Sequence, residues 1–331
     1  MRLLRAIAGN AKAATGAVML LAFIVLALFP GLFAADSPTA EAYKRNLGAS
    51  GAHLLGTTGL GQDTFAQAVY GTREVLEIAF GAGLASTVLA ALIGVAAAYL
   101  GGLWDGVLSL FTDMVLVIPL FPLLIVISAY VHNSGSGVLI AVLTLTGWSY
   151  TARQLRSQAL ALRSRDFLAA AKVRGERAIY IIVVEILPTM ISLLVAAFLT
   201  NALYDVLFAS SLQFIGLGDP DATSWGTMLY WAQNNEALQA GFYIQAIVPG
   251  AAIALLGAAF ALLNYAFDEI GNPALRPVRT RRRLWRGPGV PGGIPLGKHS
   301  PRSRSSSLGT PAQSSGHGAP AAQISPGRDR A

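Results

Sequence analysis

Among the carboxylate and amide side chains inside long apolar runs or at their ends, Asp113, Asn201, Asp205, Asn264 and Asp268 stand out. A polar or ionisable group set in hydrocarbon is costly, and its presence points by default to a path for a solute, an ion or a proton. Asp113 and Asp205, with Asn201 and Asn264, are candidates to line such a path. Asp113 and Asp268 also lie near one end of their runs, and Asp205 near the other, where simple hydration would account for them. Covalent and metal chemistry find less support. The chain has no Cys, which removes thiolate ligands, disulfides and cysteine nucleophiles. His53, His132, His299 and His317 are scattered, without the nearby carboxylate spacing of a metal site. Residues 292–299 imitate a phosphate-binding loop, but no strand pattern precedes them, no helix pattern follows, and His299 replaces the hydroxyl that would hold magnesium. No cofactor and no catalytic site of its own are expected for this chain.

Polar groups of this kind need long apolar helices to position them. Of the 331 residues, 54% are hydrophobic and 12% charged, against about one quarter charged in soluble domains. Six apolar runs, at about 16–33, 75–100, 107–131, 137–151, 189–208 and 243–267, approach the roughly 20 residues a helix needs to cross hydrocarbon. Lipid offers no partner to free backbone groups, and a closed barrel would show alternation instead of solid apolar runs. The expected fold is an all-α membrane protein with six transmembrane helices. The first run, with its basic start, also fits a cleaved signal peptide, although Leu32-Phe33-Ala34-Ala35 is a poor cleavage site. Pro119 and Pro122 are expected to kink the third run. In the second, Gly81, Gly83, Gly94, Ala97 and Ala98 permit close helix packing.

Charge sets the orientation. Arg153, Arg156, Arg163, Arg165, Lys172, Arg174 and Arg177 lie between the fourth and fifth runs, and a second Arg cluster follows the sixth. Between the fifth and sixth runs, residues 209–242 contain no Lys or Arg. Basic residues mark cytoplasmic loops, so both termini and the segment 151–188 are expected in the cytoplasm. The net charge of +7 therefore concerns orientation, with no nucleic acid implied. Residues 1–15 form a cytoplasmic start, 16–74 a first span with an external loop, 75–275 a five-helix core and 276–331 a basic tail. From Gly287 onward the tail is rich in Pro, Ser, Gly and Arg, a composition that resists ordering.

The segment from Asp166 to Pro188 is a charged, helix-forming island between apolar runs. Its Ala169-Ala170-Ala171, Gly175 and Leu187-Pro188 resemble the cytoplasmic coupling segment of ABC-transporter permeases, a Glu-Ala-Ala, three variable residues, Gly and a terminal Leu-Pro. Ala169 stands where that pattern has Glu. Residues 53–63, HLLGTTGLGQD, followed by Tyr70-Gly71-Thr72-Arg73, resemble the block before the second span in the dipeptide/oligopeptide (peptide/nickel/opine) branch. Thr58 and Gln62 replace that pattern's acid and Arg. Phe214-Ile215-Gly216-Leu217-Gly218 with residues 224–229, SWGTML, is similar to its loop before the last span. The resemblance implies a type I importer permease in the plasma membrane of a bacterium or archaeon. Its partners would be a homologous second permease, two ATP-binding subunits, an external solute-binding protein and the lipid bilayer. The solute would be a peptide, with oligosaccharides or nickel chelates as alternatives within the same branch. In that family Ala169, Ala170, Ala171, Gly175, Leu187 and Pro188 would couple the permease to its ATPase. A membrane-embedded enzyme would need clustered His, Asp or Ser within the spans, and a non-transport scaffold would need no such segment.

Physically, three alanines are strong helix formers of minimal bulk, suited to close approach. Gly175 can end that helix or turn the chain at positive φ. Pro188 marks the turn toward the fifth run.

Overall fold

The structure, a computed structural model, describes residues 10–130 and 135–271. The expectations for the extreme N-terminus, for Asp268's side chain and for the disordered tail lie outside the described residues. Within them, all regular structure is helical, apart from an isolated bridge between Thr57 and Asp63.

Helix α1 spans Ala11–Leu28 and opens on Asn10, whose side chain accepts from the Lys12 N–H. A single turn, α2 (Pro30–Phe33), follows. The long α3 covers Thr64–Leu100, then come α4 (Gly102–Val117) and α5 (Leu120–Tyr130). Helix α6 is Ser136–Arg163 and α7 is Asp166–Val173. Helix α8, Ala178–Thr189, is π-helical over Ile181–Ile186. Helices α9 (Ile191–Phe214), α10 (Trp225–Asn234) and α11 (Ile244–Gly271) complete the described chain.

Four of these, α1, α3, α9 and α11, are long and apolar enough to cross a membrane, and the pair α4–α5 makes a fifth if its two pieces form one span. The expected kink in the third run is a full break, with the two pieces bent by 80°. Pro119 cannot donate to the α4 ladder, and it drives the preceding Ile118 into the extended region at φ −69°, ψ 125°. Pro122 falls in the first turn of α5, where a missing N–H leaves no bond unmade. Helix α6 has 28 residues but departs from the expected apolar span, because its second half carries Arg153, Gln154, Arg156 and Gln158.

Small residues set the helix spacings. A Cβ on Gly94 would lie 2.3 Å from the carbonyl oxygen of Ala152, so α3 and α6 touch backbone to backbone. Gly83 meets the Ala202 nitrogen of α9 at 3.0 Å in the same sense. In lipid, where burial of apolar surface adds little between helices, such close van der Waals approach is what holds spans together. One packed cluster gathers Val95, Trp148, Ala152 and Leu155; another joins Leu199, Val206, Trp225, Leu256 and Phe260. The opposite faces stay bare. Leu103 and Val117 are each 83% exposed, a pattern for lipid or a partner subunit and not for water.

Residues 34–63 form a loop without regular structure, tied down by polar contacts. His53 Nδ1 and Asp63 Oδ2 are 2.7 Å apart, while Asp63 Oδ1 caps α3 by accepting from the Ala66 N–H. Tyr43 donates to Asp36 at 2.7 Å, which raises the phenol's pKa. Ligand atoms of Asp36, His53 and Asp63 lie within 4.8 Å of one another. This corrects the expectation that His53 stands without carboxylates, since a ten-residue turn brings them together. Because the groups already serve each other and the helix cap, they brace the loop. Gln245 of α11 donates to Asn46 Oδ1 and to the Thr57 carbonyl, and the buried Trp225 donates to the Ala68 carbonyl at 2.9 Å.

Candidate functional site

A cavity of about 590 Å³ opens between α6 and α9, bordered also by α3, α5 and α11. Helical spacing builds its walls. Residues four apart share a face, so α6 presents Thr146, Tyr150 and Gln154, while α9 presents Thr200 with Tyr204 and Asn201 with Asp205. Asn264 of α11 and Ser86 of α3 close the ring.

Three of the four expected path residues meet here. Asn201 is a junction: its Oδ1 accepts from Thr151 at 2.9 Å and its Nδ2 donates to Thr87 at 3.0 Å, linking α3, α6 and α9. Asn264 donates to Thr200, which leaves its own Oδ1 without a partner. Asp205 is 4% exposed, and its Oδ2 is buried without a hydrogen bond. Among the described residues, no Lys or Arg lines the cavity.

Asp113 goes elsewhere. Its carboxylate accepts from Arg153 at 2.6 Å on a separate groove, with both side chains about half exposed. Beside it Asp105 and Arg156 make a two-pronged ion pair at 2.7 and 2.8 Å. The basic residues of α6 therefore brace α4 as well as contributing positive charge. Tyr150, Gln154, Thr200 and Tyr204 also line the cavity and were not singled out from the sequence; their spacing of four along two helices was the available signal.

The second feature is the exposed α7. Leu168 and Ala171 are fully buried against the core around Val95 and Leu155, whereas Ala169, Ala170 and Val173 face outward. The alanine triplet is thus divided between an anchoring face and a bare one. Gly175 adopts φ +77°, its N–H donates to the Lys172 carbonyl, and the Glu176 N–H donates to that of Ala171. That pair of bonds is a Schellman motif, which satisfies carbonyls a helix end would otherwise orphan. Arg174 reaches Glu185 at 3.4 Å, tethering α7 to α8. Leu187 packs against the same core as Leu168, and exposed Pro188 lies in the last turn of α8.

Several membrane-length helices around a cavity that hydroxyls, amides and a carboxylate help to line, with large apolar surfaces left bare, define a helical multi-pass membrane protein. Residues 90–276 match the family described as binding-protein-dependent transport system inner membrane component, and the chain belongs to that family. It is 30% identical over 230 residues to the oligopeptide transport system permease protein OppC of Mycobacterium tuberculosis (strain ATCC 25618 / H37Rv), covering 69% of this chain and 78% of the relative. A peptide permease protein of Brucella suis biovar 1 is 32% identical over 220 residues, 66% and 71% of the two chains. A peptide transport system permease protein of the same organism is 30% identical over 263 residues, 79% and 87% of the two chains.

Proposed function

We propose that this chain is one permease subunit of an ATP-driven importer for peptides, which it carries by alternating access. The observation that supports it most is the polar cavity between α6 and α9 in a chain of this family. Its bare side would be completed by a homologous second permease. In this proposal hydrolysis of ATP falls to two partner subunits, and an external solute-binding protein delivers the cargo. In this reading the chain crosses the membrane six times with both termini cytoplasmic, α4–α5 forming one broken span and α6 another. The segment 151–188 couples to the ATPase, with the bare Ala169–Ala170 face of α7 as the contact. A solute or nucleotide acts on such a system only by binding its inward- and outward-open states unequally.

The test is purification of the tagged chain in mild detergent from its own cells, followed by reconstitution with its binding protein. An ATP-binding subunit and a second permease are expected to co-purify, and the vesicles to accumulate radiolabelled tri-alanine only with ATP. A chain that purifies alone and supports no ATP-dependent uptake would remove the proposal.

A further inference from the structure

We infer that the cavity recognises a cationic group on the cargo, the free ammonium of a peptide, and that Asp205 receives it; this rests on the permease reading. The cavity wall is lopsided in charge. Among the described residues it holds one carboxylate and no Lys or Arg, its other polar members being hydroxyls and amides. Asp205 is 4% exposed, its Oδ2 has no hydrogen bond, and it makes no ion pair among the described residues. Water-starved carboxylates are tolerated when a cation pairs with them, and here none of the described residues supplies one.

The neighbours point the same way. Asn264 Oδ1 is a second buried acceptor without a donor, because its amide nitrogen is spent on Thr200. Ser86 Oγ, also on the wall, is likewise unpartnered. Asn201 differs: both ends of its amide are engaged by Thr151 and Thr87, so it holds the wall in shape. An ammonium has three donors and no acceptor, which is the chemistry this set of spare acceptors lacks. A carboxylate would find no positive partner on this wall. The chain therefore handles the amino end of a peptide, leaving its carboxyl end to another subunit.

The experiment uses the assembled complex in vesicles with its binding protein, carrying wild-type, Asp205→Asn or Asp205→Glu. Uptake of tri-alanine is compared with that of N-acetyl-tri-alanine, which lacks the charge. The binding protein is the same throughout, so its own preference cancels between variants. Co-purification of all subunits controls for assembly. The preference for the free amine is expected to fall at least tenfold in Asp205→Asn and to be largely kept in Asp205→Glu. An unchanged preference in Asp205→Asn overturns the inference. So does an equal loss of both peptides, the result expected if a cation of the second permease pairs with Asp205. If the wild-type complex carries neither peptide, the peptide reading itself fails; a transported solute without a cationic group would then overturn this inference too.

Discussion

Replacing Gly175 by valine isolates the role of one backbone conformation. At φ +77° an L-residue brings its Cβ against backbone, costing about 1–2 kcal/mol, and a β-branched side chain adds to this. A Cβ at this position would meet nothing within 4 Å, so the penalty is conformational and not a clash. At about 2 kcal/mol the capped end of α7 becomes roughly thirtyfold less favoured, and the Gly175–Lys172 and Glu176–Ala171 bonds go with it. The anchors Leu168 and Ala171 remain buried, so membrane abundance should hold. The bare face of α7 loses its fixed presentation. Co-purified ATP-binding subunit and ATP-dependent uptake are both expected to drop at least several-fold in Gly175→Val. Gly175→Asn, which tolerates the left-handed region, should retain most of each, with Gly175→Ala between them. Wild-type uptake in Gly175→Val, or an equal loss in Gly175→Asn, would refute the reasoning.

Gly94→Ala forces a methyl to 2.3 Å from the Ala152 carbonyl and should destabilise by about 1–3 kcal/mol, seen as earlier thermal unfolding in detergent; Gly257→Ala, with nothing within 4 Å, should not. Trp225→Phe removes the bond to the Ala68 carbonyl, which still accepts from Thr72, so a loss of about 0.5–1.5 kcal/mol is expected in the same assay. Since the chain has no Cys, single substitutions report topology: Thr39→Cys should react with an impermeant maleimide on intact cells, and Ser164→Cys only after permeabilisation.

Much of the architecture was legible because lipid imposes simple rules. Residues 75–100 and 189–208 had to be helical once they were long and apolar, and their helices run past those bounds to Thr64 and Phe214. The stop at Gly175 was legible too, since a lone glycine after a run of helix formers has one common use. The charged half of α6 was harder. Its apolar part alone looked like a short span, and nothing local says that the helix continues through Arg153 and Arg156 to Arg163. Those arginines find their partners Asp113 and Asp105 at separations of 40 and 51 residues.

Composition and spacing thus determined that this chain enters a membrane, that breaks fall near Pro119 and Gly175, though not at Pro122, and that Asn201, Asp205 and Asn264 are out of place in hydrocarbon. These are local facts, decided by the cost of exposing backbone or burying polar groups. Tertiary packing alone decided which polar groups face one another. The contacts of Gly83 and Gly94 with the backbones of α9 and α6 bring three helices together, and that closeness lets Asn201 bridge Thr87 and Thr151 while Asp205 keeps an oxygen unpaired. Asp113 has the same chemistry as Asp205, but an arginine forty residues away claims it. No residue type or spacing encodes that difference, because pairing depends on distances that exist only after the helices have packed.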